Sequence, residues 1–275
     1  MKFPTFKSFT WRRIVAAALL YFGMSSVLNH TQDVAQYFRN RPHAHAAVTF
    51  AQAASHSIIF VDEFDHPRGL CSATAVGPHT LLTAAHCNMG KDDDHYSTVN
   101  LDYAIRDYHI LAELTDDQDH VLYLMDGPEF KQYIRNLTPA APKPGDEVVI
   151  YGDGLGKYPP RPLYGRINGT MGAQDLSDID HGAGIQYYDM AIQHGDSGSA
   201  VYDINDHGRI VGLMTYGLGF TDEYGSSVVA VSFALNFPPN AEVLLEAKAL
   251  SNEQNKRKEL AEKLSNPEKY KEPWE

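Results

Sequence analysis

From Ser57 to Phe233 the chain is broken into short apolar runs, and that rhythm constrains the fold more than any other feature. The runs are Ile58–Val61, Ser72–Val76, Thr80–Ala84, His120–Met125, Glu147–Tyr151, Leu163–Ile167, Ile185–Ile192, Ser199–Tyr202, Arg209–Thr215 and Ser227–Phe233. They are rich in Val, Ile and Tyr and are bounded by Gly, Pro, Asp or Asn, which predicts an all-β barrel or sandwich. Three prolines between Thr138 and Gly145 cannot sit in a central strand, so this stretch is the best internal boundary.

Two motifs flank that boundary. Thr83-Ala84-Ala85-His86-Cys87 lies before it and Gly195-Asp196-Ser197-Gly198-Ser199 after it. A serine hydroxyl is a poor nucleophile at neutral pH unless a base takes its proton, and imidazole suits that task. Glycines on both sides of Asp196-Ser197 allow a sharp turn, so the N–H groups of Gly195 and Ser197 can converge where charge develops on an attacked carbonyl oxygen. A buried carboxylate would fix the tautomer of His86. The candidates before the boundary are Asp119, Asp117, Asp116, Asp107 and Asp102.

At these residues the chain resembles the chymotrypsin-like (trypsin-fold) serine peptidases, over roughly Ala46 to Pro238. The continuation Ser199-Ala200 looks more like bacterial and viral members. The resemblance implies two six-stranded antiparallel β-barrels, the first to about residue 138 and the second from about 146. It places the active site in the cleft between them and a C-terminal α-helix on the second barrel. It implies a disulfide between Cys71 and Cys87, which would contribute ~3 kcal/mol by closing a loop of about 15 residues. It selects Asp119, which heads the apolar run from His120 although the family usually has an aliphatic residue there. His86, Asp119 and Ser197 are then the catalytic set, with Gly195 and Ser197 as the oxyanion hole. No basic residue followed by Ile-Val-Gly-Gly lies upstream of Cys71, so the means of holding Asp196 in place is open.

The resemblance also locates a specificity pocket at Ala191, Thr215, Tyr216 and Gly217. Ala191 offers no partner to a substrate Lys or Arg, and burying such a cation unpaired is costly. Met214 stands where glutamate-specific relatives carry a histidine. An uncharged, mainly apolar residue before the cut bond is expected, with His194 at the rim as a site that could favour an acid when protonated.

The net charge of −12 argues against a nucleic-acid surface. Lys2, Lys7, Arg12 and Arg13 precede an apolar run from Ile14 to Met24, the pattern of an export signal over residues 1–28. An uncleaved membrane anchor through residues 14–28 is the alternative, though it falls short of the ~20 residues of a spanning helix. Two cysteines fit a secreted or cell-envelope protein. Residues 29–54 read as a spacer or pro-segment, 55–238 as the peptidase domain, and 239–275 as a helix and polar tail. Val243, Leu244, Ala247 and Leu250 share one helical face, and Glu259 and Lys263 form an i,i+4 pair.

Other polar clusters read as surface. Asp92-Asp93-Asp94-His95 lacks the spaced ligands and glycine of a calcium loop and is expected to be solvated. His43 and His45 are too isolated for a metal site. Gly152-Asp153-Gly154-Leu155-Gly156 lacks the Lys-Ser/Thr ending of a phosphate loop and reads as a turn after a strand. No metal or organic cofactor is implied, and the expected partner is a polypeptide substrate. The function so read is a serine endopeptidase. The alternatives are a catalytically silent binding module of the same fold, and a membrane-tethered peptidase that works in a complex through its C-terminal helix.

Overall fold

The computed structural model describes residues 49–88, 96–104, 107–135, 137, 143–156, 159–171, 184–188, 190, 192–206, 208–222 and 225–265. The leader, the spacer to residue 48, His43 and His45, the Asp92–His95 cluster, Ala191 and the tail beyond residue 265 lie outside these. All that is described belongs to the unit spanning Ala47–Glu275.

Twelve strands close into two six-stranded antiparallel barrels. The first is β1 (Ser55–Val61), β2 (Pro67–Ala75), β3 (Thr80–Ala84), β4 (Thr98–Leu101), β5 (Asp107–Thr115) and β6 (His120–Asp126), in the spatial order 1-2-3-6-5-4. The second is β7 (Glu147–Gly152), β8 (Arg161–Met171), β9 (Gly184–Tyr188), β10 (Ala200–Asp203), β11 (Arg209–Asp222) and β12 (Gly225–Phe233), in the order 10-11-12-9-8-7. Closure removes the exposed edges that an open sheet would present. The predicted run to Ile192 ends as a strand at Tyr188, and β11 and β12 pair as a long hairpin from Leu213–Phe233 to Asp222–Gly225.

β4 and β5 have no counterpart among the apolar runs. β4 is only four residues long, and β5 carries Asp, His and Glu because much of its outer face meets solvent or the C-terminal helix. Elsewhere burial departs from simple alternation. Every residue of β3 and the second half of β2 is buried. These strands line the first barrel on one face and meet β7 and β11 of the second barrel on the other. That double burial brings the two motifs together.

Residues 49–54, within the expected spacer, are helical, and Ala51 and Ala54 are buried. Ser55 Oγ donates to Ala51 O and fastens this turn to β1.

The C-terminal helix, Ala241–Ser265, packs on β5 and β6 of the first barrel, not on the second barrel as expected. Its buried residues are Ala241 and Leu245, whereas Val243, Leu244 and Leu250 are exposed. The reason lies in β5. Beyond His109 that strand has no β4 partner, so its carbonyls need donors. Lys248 Nζ donates to Glu113 O at 2.9 Å and Asn252 Nδ2 to Leu111 O at 3.1 Å. Two donors four residues apart on a helix span ~6 Å, close to the ~6.8 Å between alternate strand residues. The docking face is therefore half polar and invisible to a search for apolar spacing. The Glu259–Lys263 pair forms at 2.8 Å on the solvated part.

Leu245→Ala is expected to cost about 2–4 kcal/mol, because it empties a buried site. Leu264→Ala, on the solvated end, should stay within about 0.5 kcal/mol of the parent. Urea unfolding of both variants measures the difference.

Candidate active site

The register of β3 against β6 pairs Ala84 with His120. One step beyond, Ala85 N donates to Asp119 O at 2.8 Å, so Asp119 comes opposite the turn that carries His86. Its carboxylate takes the His86 backbone N–H on Oδ1 at 2.9 Å and faces Nδ1 from Oδ2 at 2.5 Å. The second contact places the proton on Nδ1 and leaves Nε2 as an acceptor. A one-residue slip of β6 would turn this carboxylate away.

The other candidate carboxylates are engaged elsewhere. Asp116 is bound to His120, Asp117 to Asn236 and Asp102 to His56; the Asp107 side chain lies outside the described residues. His120 occupies the position where an aliphatic residue was expected. It is fully buried, and its Nδ1 meets Asp116 Oδ2 at 2.8 Å. Asp116 also accepts from the backbone N–H groups of Gln118, His120 and Asn236. This hub closes the turn before β6, in which Asp119 adopts a left-handed φ of 62°.

Cys71 and Cys87 form the disulfide, with Cα atoms 6.2 Å apart. It joins the strand carrying Ser72 to the residue after His86. Among the described residues, the one gathering of three potential metal ligands is Cys71, His86 and Cys87, and both of its sulfurs are committed to this bond. Ser72 N in turn donates to Ser197 O at 2.8 Å. His86 and Ser197 are thus linked through one disulfide and one hydrogen bond.

Gly198 completes the approach. Its φ is 86°, and a Cβ there would strike Ser72 O and Thr83 Oγ1. Only glycine allows the turn after Ser197 to lie so close to the end of β3. The Ser197 hydroxyl makes no direct hydrogen bond to His86, as is common before a substrate tightens such a pair. Among the described residues no group accepts from the N–H of Gly195 or of Ser197, so both donors are available.

Asp196 is buried, and the structure shows what holds it. Gln193 N donates to Oδ2 at 2.8 Å, and Arg161 Nη2 lies 3.6 Å from the same oxygen. Arg161 also donates to Gln193 Oε1 at 3.0 Å. Gly152 and Gly154 leave the space the carboxylate fills, since a Cβ on either would collide with it. The glycine-rich stretch is thus a short 3-10 turn after β7 that cradles Asp196. Burial pushes the Asp196 carboxyl above its ordinary value, against the pull of the Gln193 N–H and Arg161. Arg161 lacks any local sequence signal, and the glycine-rich stretch signals only a turn, because both meet Asp196 only across the barrel.

Of the pocket residues, Ala191 and the side chains of Tyr216 and Gly217 lie outside the described residues. Thr215 is buried and sits at a register shift between Met214 and Tyr216. An extra residue there re-aims the strand, as bulges beside functional sites often do. Met214 is packed in the second-barrel core with Val211 and Ala230.

The family model described as Trypsin matches residues 48–236. The chain belongs to the trypsin family of serine proteases. Among solved structures it is similar to the HtrA-type protease AlgW with tripeptide, at 19% identity and a TM-score of 0.50, covering 69% of this chain and 59% of that one. It is also similar to an inactive form of Rv3671c from M. tuberculosis, at 15% identity and a TM-score of 0.49, covering 74% and 90%. A comparison with curated proteins finds no match.

The Asp116 hub makes a pH prediction. Burial pushes the Asp116 carboxyl up, but His120 and the N–H groups of Asn236 and Gln118 outweigh it and hold the group below its ordinary value. A lowered folded value means that the stabilisation is present above the unfolded value of about 3.9 and is lost as pH falls through the folded one. Urea titrations between about pH 3 and pH 7 should show the parent losing stability toward acid more steeply than Asp116→Asn.

Proposed function

We propose that this chain is a serine endopeptidase that works through an acyl-enzyme. The observation that carries the reading is the His86–Asp119 pair, tied through Cys87–Cys71 and Ser72 to a turn whose Gly195 and Ser197 N–H groups have no acceptor among the described residues. Ser197 Oγ attacks the scissile carbonyl carbon while His86 Nε2 takes its proton. Asp119 keeps the second imidazole proton on Nδ1 and stabilises the imidazolium. The N–H groups of Gly195 and Ser197 receive the charge that develops on the carbonyl oxygen. Collapse breaks the C–N bond, and the leaving amine takes the proton from Nε2. Water then repeats the sequence on the ester.

A polypeptide is the substrate this reading favours. β11 pairs with β10 only as far as Leu213, and from Thr215 its cleft-side edge has no partner strand among the described residues, which suits an extended chain. An uncharged, mainly apolar residue before the cut bond follows from Ala191 and from the burial of Met214 in the core. The basic-then-apolar leader and the Cys71–Cys87 disulfide support export to the cell envelope or beyond.

Ser197→Ala and His86→Ala are each expected to abolish nearly all peptide hydrolysis, since such residues act as a unit. Asp119→Asn should lower turnover by up to ~10⁴-fold. A peptide library should show cutting after Leu, Met, Phe, Tyr or Ala. Near-parent activity of Asp119→Asn would remove that residue from the mechanism, and dominant cutting after Arg, Lys or Glu would overturn the pocket assignment.

A further inference from the structure

We propose that Tyr103 and Ser72 are positioning residues for the oxyanion-binding turn, acting through Asp153 across the two barrels. The inference rests on the peptidase reading above and concerns how that site is held ready.

Gln193-His194-Gly195-Asp196 is a four-residue turn closed by Asp196 N donating to Gln193 O at 3.0 Å. Gly195 occupies its third position with φ 101°, which makes the turn type II. The type I alternative has φ near −90° at that position and the central peptide rotated by about half a turn. That central peptide carries the Gly195 N–H. The type II arrangement, not the type I alternative, therefore sets the direction of this donor.

A directed hydrogen-bond chain fixes the other side of Gly195. Ser72 Oγ donates to Gly195 O at 2.7 Å. It is the donor there because a carbonyl has no proton to give, and the same hydroxyl oxygen accepts from Asp153 N at 2.9 Å. Ser72 and Asp153 are both fully buried, so water does not compete. Asp153 Oδ2 accepts from Tyr103 OH at 2.7 Å. Burial and this carboxylate push the Tyr103 phenol up to about 12, so it remains a donor throughout the neutral range. Asp153 also lies between Gly152 and Gly154, the two residues that cradle Asp196. Holding Asp153 thus fixes the turn at Gly195 and at Asp196 together.

The backbone that delivers Tyr103 is held in an uncommon shape. Asp102 and Tyr103 have successive left-handed φ values of 54° and 55°. Asp102 is pinned by His56 Nδ1 at 2.7 Å and Ser57 N at 3.0 Å, and its own N–H donates to Ser57 O. Non-glycine residues keep such conformations only where their surroundings enforce them, and such sites cluster around function. The proposed peptidase chemistry makes no direct use of Tyr103. Its reach from the first barrel to Asp153 accounts for the enforced turn.

The test compares the parent with Tyr103→Phe and Ser72→Ala on a fluorogenic peptide and two inhibitors. One is a peptide trifluoromethyl ketone, whose adduct with Ser197 places an oxyanion in the hole; the other is the matching peptide alcohol, which forms no adduct. Tyr103→Phe should lower kcat about tenfold with KM unchanged within about twofold, less than the ~10²–10³ for loss of a donor itself. Ketone affinity should fall in parallel while alcohol affinity stays constant, and Ser72→Ala should show the same split. A kcat within about twofold of the parent for Tyr103→Phe, or equal weakening of ketone and alcohol, overturns the inference while leaving the peptidase reading intact. A parent protein that neither cleaves the peptide nor binds the ketone overturns both.

Discussion

Ser72 is the residue on which the geometry of the cleft depends. Its N–H holds Ser197 O, its hydroxyl holds Gly195 O, and its carbonyl accepts from Thr83 Oγ1 beside the His86 turn. The neighbouring Cys71 is bonded to Cys87, so the strand cannot drift from His86. A residue of the first barrel thereby sets the backbone of the nucleophile turn in the second. Because it is fully buried, each of these bonds is costly to leave unmade. Gly198 shows the same constraint from the other side, since any side chain there would separate the barrels.

Around this hinge each half of the site has its own brace. On the first barrel, the Asp116 hub gathers four donors and closes the turn that presents Asp119. One of these donors, the Asn236 N–H, comes from the segment after β12, and Asn236 also bonds Asp117. The chain then enters the C-terminal helix, which caps β5 immediately before the same turn. On the second barrel, Arg161 and the Gly152–Gly154 cradle hold Asp196. The Arg161 pairing answers how the nucleophile turn is kept in place with no Ile-Val-Gly-Gly sequence upstream of Cys71.

Much of the fold and part of the site were legible because their signals are local. The apolar runs located most strands, the cysteine spacing under the family resemblance gave the disulfide, and His86 and Ser197 sit in compact motifs. Asp119 was selected only through the family resemblance, and the structure sets its carboxylate against His86. β4 and β5 were missed since one is short and the other answers to the helix that covers it. Leu245 was missed as the buried leucine of that helix, because its docking face uses Lys248 and Asn252 as donors and breaks the apolar pattern. Ser72, Tyr103 and Arg161 carry no motif at all, and Asp153 lies in a glycine-rich turn whose sequence names no partner. Their roles arise from contacts across large sequence separations, where residue type alone gives no pairing information.

In the proposed mechanism, folding makes Ser197 nucleophilic by bringing it to His86 across the two barrels. Covalent labelling with a fluorophosphonate, read by intact mass and peptide mapping, tests this most directly. One adduct per folded chain is expected, on Ser197, and none on Ser197→Ala or on urea-unfolded protein. Folded parent protein that takes up no label, or takes it up at a residue other than Ser197, would contradict it.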